Sequence, residues 1–243
     1  MMSLKGNSGC TVTLIDNTVI RKQSKNIDYN KRLLKQIEKQ KEFIHPIIKT
    51  PKIYEVGEKD NLVFFDMEYI KGQSFFDFCA LEKFTEIEKI VNTFFPKSIP
   101  KNTKNVYDIV LKKCELFNEF PLHILDDVSW ECEIKTCHGD FTFENIIICD
   151  NEIYLIDFLD SFLESPQIDE SKMMQDTYCF WSYRNKKYTP IHNLYLINQL
   201  LETKQNYILL LVHLYRIFPY SDGETKKWLN IQIQNVLKKI KNI

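Results

Sequence analysis

The sequence predicts an α+β chain of two lobes, a small β-rich one over residues 1–71 and a mostly helical one over residues 72–243. Three observations carry this. Short β-branched segments joined by Asp, Asn and Gly turns fill the N-terminal part, with one helical stretch among them. From Ser74 onward, apolar residues recur three and four apart in successive segments. Within that helical region, two apolar runs, Ile146 to Cys149 and Ile153 to Ile156, flank the turn-forming Asp150-Asn151-Glu152 and read as a lone hairpin.

The elements follow in order. Gly6-Asn7-Ser8-Gly9 precedes an alternating strand from Cys10 to Ile15; Asp16-Asn17 turns the chain, and Thr18 to Lys22 returns it. The backbone of Gly6, Ser8 and Gly9 suits either a phosphate-covering loop or an ordinary hairpin lead-in. Arg21 and Lys22 are adjacent, so the pleat sends them to opposite faces. Asp28 to Ile44 reads as a helix through Leu33, Leu34, Ile37 and the stem of Lys41, with Asp28 as N-cap and His45-Pro46 as the stop. Lys52 to Val56 and Asn61 to Tyr69 read as strands around a Gly57–Asp60 turn. Helices are then expected over 75–84, 86–95, 106–117, 171–183, 194–201, 207–218 and 224–240. The change from strand to helix pattern falls near Gly72.

Bulk properties exclude several classes of function. A chain of 243 residues, 44% hydrophobic and 13% aromatic, supports a sizeable core and argues against disorder. Its 32 basic and 33 acidic side chains leave a formal charge of −1, so no basic field points to nucleic acid and no polybasic cluster to anionic lipid. Seven cysteines form no CxxC pair and fit no zinc spacing, which suits reduced thiols in the cytosol. The start lacks the apolar core of a signal peptide. The greasiest run, Tyr207 to Phe218, is too short for a bilayer and carries His213 and Arg216, so a buried helix and no membrane insertion are expected.

The chemistry concentrates in His138-Gly139-Asp140-Phe141-Thr142-Phe143-Glu144-Asn145 and the hairpin after it, which ends in Asp157-Phe158. A register centred on Asn151 sets Asn145 opposite Asp157, with Cα atoms roughly 4.5–5.5 Å apart. An amide oxygen and a carboxylate then converge at the hairpin's open end. Hard oxygen donors in that number, completed by phosphate oxygens and water, suit Mg²⁺. Asp140, in the same loop, can receive a hydroxyl proton or orient the hydroxyl.

The joint pattern HGD-x4-N, apolar run, turn, apolar run and Asp-Phe resembles the aminoglycoside phosphotransferase and choline kinase group of kinase-like enzymes. The resemblance implies a bilobal protein-kinase-like fold with an ATP cleft between the lobes, and the transfer of the γ-phosphate of ATP, or GTP in its place, to a hydroxyl of a small molecule. It implies Asp140 as catalytic base, Asn145 and Asp157 as Mg²⁺ ligands, and His138 as the residue holding the loop. Gly6, Ser8 and Gly9 would cover the phosphates. Lys22, favoured over Arg21 by the Val-Ile-Arg-Lys register, would reach them. The helix position that normally offers a glutamate to this lysine falls at Gln36, a departure from the pattern, with Glu38 as the nearby alternative. The backbone of Glu68, Tyr69 and Ile70 would meet the adenine edge. Asp169 is the candidate buttress of the catalytic loop, and equally an N-cap for the helix from Ser171.

Leu159 stands where protein kinases place glycine, and no Ala-Pro-Glu follows, so a small acceptor is implied rather than a protein. Within residues 160–184, Asp160 or Asp176 could hold an amine, Trp181 could stack on a sugar and Arg184 could hold an anionic group. This stretch resembles small phosphotransferases of bacterial surface-polysaccharide synthesis, which points to a sugar or related metabolite. The alternative is a nucleotide-binding pseudokinase with a regulatory role. Gln36 favours that alternative, and the complete set Asp140, Asn145 and Asp157 opposes it.

Overall fold

A computed structural model describes residues 2–4, 9–96 and 102–243. The chain divides into two compact units, one of Met1–Phe78 with Glu144–Asp160, the other of Cys79–Phe143 with Ser161–Ile243.

In the first unit, strands β1 (Met2–Leu4), β2 (Cys10–Ile15), β3 (Val19–Ser24), β4 (Ile53–Lys59) and β5 (Leu62–Glu68) form a sheet in the order β1-β2-β3-β5-β4. Along β3 burial alternates, so Ile20, Lys22 and Ser24 share the inner face and Arg21 looks the other way. Helix α1 (Asn30–Glu42) lays Leu33 and Ile37, four residues apart, on Cys10, Ile20, Val63, Phe65 and Met67. The helix starts later than the expected Asp28. A 3₁₀ turn over Ile27–Tyr29 precedes it, and the side chain of Asn26, not Asp28, accepts the Tyr29 N–H. Extended Asn26 can cap; Asp28 already lies inside the turn. At the other end α1 stops at Glu42, and His45 Nδ1 accepts the N–H groups of Ile47 and Ile48.

The unit's three tight hairpin turns share one chemistry. Asp16-Asn17, Asp60-Asn61 and Asp150-Asn151 each place both residues at positive φ, between 49° and 64°. Two consecutive left-handed residues match the twist of the flanking strands, and Asp and Asn tolerate that region better than other side chains. This corrects two sequence expectations. Gly57 is not in a turn: it pairs with Phe64 inside the β4–β5 ladder, and a Cβ there would come within 2.7 Å of the Phe64 ring. The late hairpin, β6 (Ile146–Cys149) and β7 (Glu152–Leu155), has a two-residue loop, since Glu152 is already paired with Cys149. Its register therefore moves by one. The Ile156 N–H donates to the Asn145 carbonyl at 3.0 Å, and Asp157 lies one residue beyond. Gln73–Ser74 flanks β6 and Ile48–Lys49 flanks β7, completing a second sheet.

Helix α2 (Phe75–Leu81) leads into the second unit, which holds α3 (Phe84–Phe94), α4 (Tyr107–Cys114), α5 (Pro166–Thr177), α6 (Ile191–Leu201), α7 (Lys204–Ile217) and α8 (Gly223–Lys241). Its core forms around α5 and α7. Every residue of α7 from Asn206 to Leu214 is buried, as are nine of the twelve residues of α5. Helix α5 begins at Pro166 rather than Ser171, with proline at a position whose N–H needs no helical partner. It does not run on to Tyr183: Phe180 turns left-handed at φ 58°, and Trp181–Tyr183 is a separate 3₁₀ turn. All seven cysteines are thiols rather than halves of disulfides. No helix among the described residues is long and apolar enough to cross a membrane.

Candidate active site

In the first unit, the buried face of β3 delivers Lys22 to two partners. Its Nζ donates to the Gln36 amide oxygen of α1 at 3.1 Å and to Asp157 Oδ1 at 3.0 Å. The lysine side chain is only 3% exposed, whereas that of Asp157 is 40% exposed. Burial of an ammonium is tolerable because both contacts satisfy it. Gln36 is itself oriented, since its Nε2 donates to the Tyr29 hydroxyl at 3.2 Å. Asp157 adopts φ 61°, a conformation uncommon for a residue with a side chain and enriched at functional positions. The residues after it are tied to α1: Phe158 packs on Phe43, Lys39 Nζ donates to the Leu159 carbonyl at 2.9 Å, and Lys35 meets Asp160 at 3.4 Å. Asn145, half-buried, stands at the start of the hairpin. One open carboxylate and one amide oxygen are hard donors of the kind Mg²⁺ takes, so these side chains fit the implied metal.

The second unit holds the loop that precedes Asn145. Gly139 has φ 84°, which glycine reaches without a steric penalty. The two carboxylate oxygens of Asp169 accept the N–H groups of His138 at 2.6 Å and Gly139 at 2.8 Å. His138 is fully buried, stands edge-to-face with Phe141, and accepts the Asp140 N–H at Nδ1. Two turns along α5, Asp176 accepts the N–H of Phe143 at 2.7 Å and of Ser182 at 2.8 Å. Between the two clamps, Lys172 Nζ lies 3.1 Å from Asp140 Oδ1 and donates to Gln175 at 2.8 Å. Burial pushes the Asp140 carboxyl up, but the charge of Lys172, then His138, the Lys172 hydrogen bond and Arg216 outweigh it. The net result is a value below the ordinary 3.8.

The structure thus brings Lys22, Gln36 and Asp157 together, and fixes Asp140 and His138 in one clamped loop. It separates Arg21 from this group. Arg21 sits opposite Asp66 across the strands, makes two bonds to it at 2.7 Å, and lies 4.1 Å from the Phe64 ring centroid. Glu38 is exposed on α1 and takes no part. Asp169 does not cap a helix; it lies inside the first turns of α5 with its carboxylate on the loop. Asp176 is fully buried and committed to two backbone donors, which removes it from the groups that could hold an amine. Trp181 is no open platform: the Arg184 guanidinium covers it at 3.8 Å and Trp228 packs at 5.6 Å. The N–H groups of Glu68 and Tyr69 donate within the fold to Lys52 and Thr18. Gly9 accepts the Lys25 N–H through its carbonyl, while Gly6 and Ser8 lie outside the described residues. Sequence reasoning missed Lys172 and the clamp role of Asp176. Their spacing from Asp169, three and seven residues, was the available signal, because it sets all three on one helix face.

No family model matches the sequence, and no curated protein sequence matches it. Solved structures do. A thermostable mutant of the aminoglycoside phosphotransferase APH(4)-Ia, in its apo form, superposes with TM-score 0.64 at 10% identity over 98% of this chain and 94% of the other. A putative fructosamine-3-kinase from Haemophilus somnus 129PT gives TM-score 0.56 at 14% identity over 98% and 90%. Choline kinase LicA from Streptococcus pneumoniae gives 0.51 at 16% identity over 99% and 92%. The chain therefore has the α+β protein-kinase-like fold that these small-molecule phosphotransferases share.

Proposed function

We propose that this protein is an ATP- and Mg²⁺-dependent phosphotransferase that moves the γ-phosphate to a hydroxyl of a small molecule, a sugar or related metabolite. The observation that supports it most directly is the pair Lys22–Asp157. A cation suited to phosphate oxygens and a carboxylate suited to the metal are held 3.0 Å apart, with Gln36 setting the lysine. In this reading Lys22 binds phosphate oxygens when nucleotide arrives; Asn145 and Asp157 would hold Mg²⁺, which would supply positive charge to the transferring phosphoryl group. Asp140 accepts the proton of the acceptor hydroxyl, and Asp169 with His138 keeps the loop in place. The Ile70 N–H is the donor we assign to adenine, because those of Glu68 and Tyr69 are engaged within the fold. GTP would serve in place of ATP if the same backbone groups accept guanine. Residues 1–71 then cover the nucleotide, and residues 72–243 carry catalysis and the acceptor. A role in bacterial surface-polysaccharide synthesis is the narrower form of this reading and rests on residues 160–184 alone.

Calorimetric titration with ATP, with and without Mg²⁺, tests the assignment. Asp157→Ala should abolish the Mg²⁺-dependent tightening and Asn145→Ala should weaken it; unchanged dependence in both would move the metal elsewhere. One observation favours a nucleotide-binding regulator instead: Lys22 meets the neutral Gln36 on α1 where the kinase pattern has a glutamate. Mg²⁺-dependent nucleotide binding without any turnover across a broad hydroxyl-acceptor screen would select that alternative.

A further inference from the structure

Helix α5 turns three charged side chains to the loop 138–143 from one face: Asp169, Lys172 and Asp176. Two of them clamp backbone. The third, Lys172, touches the working carboxylate, with Nζ 3.1 Å from Asp140 Oδ1, and its side chain is 9% exposed against 27% for Asp140. A buried ammonium is expensive to desolvate unless paired, and here Asp140 and Gln175 both accept from it. His138 and Arg216 also act on Asp140 through their charge, and the Asp169 carboxylate on the same helix is taken by the His138 and Gly139 N–H groups. Lys172 thus sets a full positive charge directly against the Asp140 carboxylate.

We propose that Lys172 is a positioning residue for Asp140 and sets the charge of the acceptor site, so that the site takes neutral or anionic hydroxyl compounds and discriminates against those with an ammonium group beside the reacting hydroxyl. This rests on the phosphotransferase reading above. In the step, the acceptor oxygen forms its bond to the γ-phosphorus as the bond from that phosphorus to the β-phosphate oxygen breaks. ADP leaves with the electron pair, and the hydroxyl proton passes to Asp140. Lys172 keeps its protons throughout: it fixes the carboxylate rather than exchanging with it. An acceptor ammonium near Asp140 would meet a carboxylate already paired, and like charges brought together in a partly buried site are strongly unfavourable.

The test is phosphotransfer by the full chain with Mg²⁺-ATP over matched acceptors, a sugar, its amino sugar and its sugar acid, for wild type, Lys172→Met and Lys172→Arg. Wild type should favour the sugar and sugar acid over the amine by about tenfold or more in kcat/KM. Lys172→Met should erase that preference, lower kcat by about tenfold with KM for ATP nearly unchanged, and move the acid limb of the pH profile upward. Lys172→Arg should restore the preference. An amine-preferring wild type, or a folded Lys172→Met protein with wild-type preference and acid limb, overturns the proposal. If Lys172→Met does not fold, Lys172→Gln carries the same readouts. Carbon-13 NMR titration of Asp140 needs no acceptor: an upward move in the variant supports the positioning role, and no move overturns it. Absent ATP binding together with that upward move would sink the phosphotransferase reading and leave the positioning of Asp140 by Lys172 standing.

Discussion

Asp169 and Asp176 stand seven residues apart on one face of α5, and each carboxylate accepts two backbone N–H groups, together holding both ends of the loop from His138 to Phe143. Charged acceptors make the strongest such bonds, and removing one strands two buried donors. Both residues are buried. Asp169→Ala and Asp176→Ala should each destabilise the protein by about 2–4 kcal/mol. Urea unfolding at neutral pH measures this, and a loss below about 0.5 kcal/mol in either variant would show that water replaces the carboxylate freely.

Asp140 differs from the clamps in being partly open and in meeting the charge of Lys172. Asp140→Asn keeps the shape and an acceptor oxygen for Lys172 but cannot take a proton. The variant should keep its ATP affinity and lose some melting temperature, because the buried Lys172 ammonium loses its counter-charge, while transfer to the best acceptor falls by about 10²-fold or more. A near-wild-type rate would remove Asp140 from the chemistry.

Much of this arrangement was legible in the chain, for local reasons. The hairpin over residues 146–155 follows from two apolar runs around an Asp-Asn turn, and the tight loop before it from the glycine of His-Gly-Asp. The register was misread by one residue because composition marks Glu152 as turn-like, while backbone φ ends the turn at Asn151. Pleat alternation says that Arg21 and Lys22 oppose each other; which one faces α1 depends on Asp66 and Gln36, residues far away in sequence. Lys172 and the clamp role of Asp176 stayed hidden because a helix started at Ser171 gives no reason to group them with Asp169, and their partners in the loop lie more than thirty residues upstream.

The same strand yields a paired prediction. Lys22→Met should raise KM for ATP or lower kcat by at least about tenfold, the loss expected for one charge-assisted phosphate contact worth roughly 1.5–3 kcal/mol. Arg21→Met should leave ATP kinetics near wild type and lower stability by about 1 kcal/mol, because its two-point contact with Asp66 and its stacking on Phe64 are partly buried. Steady-state kinetics with denaturant unfolding separates the two. The reverse ranking would require the inner face of β3 to be the other one. Equal, small kinetic effects would strengthen the regulator alternative.

His213 gives the protein a built-in sensitivity to acid. It lies on α7, 1% exposed, with Nε2 3.1 Å from Ser171 Oγ and Nδ1 without a hydrogen-bond partner. Burial, and then the charges of Lys172 and Arg216, hold its value well below the ordinary 6.5. The folded protein therefore keeps the ring neutral where the unfolded chain protonates it. This contribution to stability is complete above about pH 6.5 and is lost as pH falls toward the depressed folded value, at up to about 1.4 kcal/mol per pH unit. His213→Gln places an amide near Ser171 Oγ and removes the titration. Urea unfolding at pH 7.5, 6 and 5 should show the wild type losing stability more steeply than the variant, with the two curves diverging below about pH 6.5. The buried His138 is present in both proteins, so the difference isolates His213. Parallel curves across that range would mean that the ring is already protonated in the fold, and the neutral interior assigned to it here would be wrong.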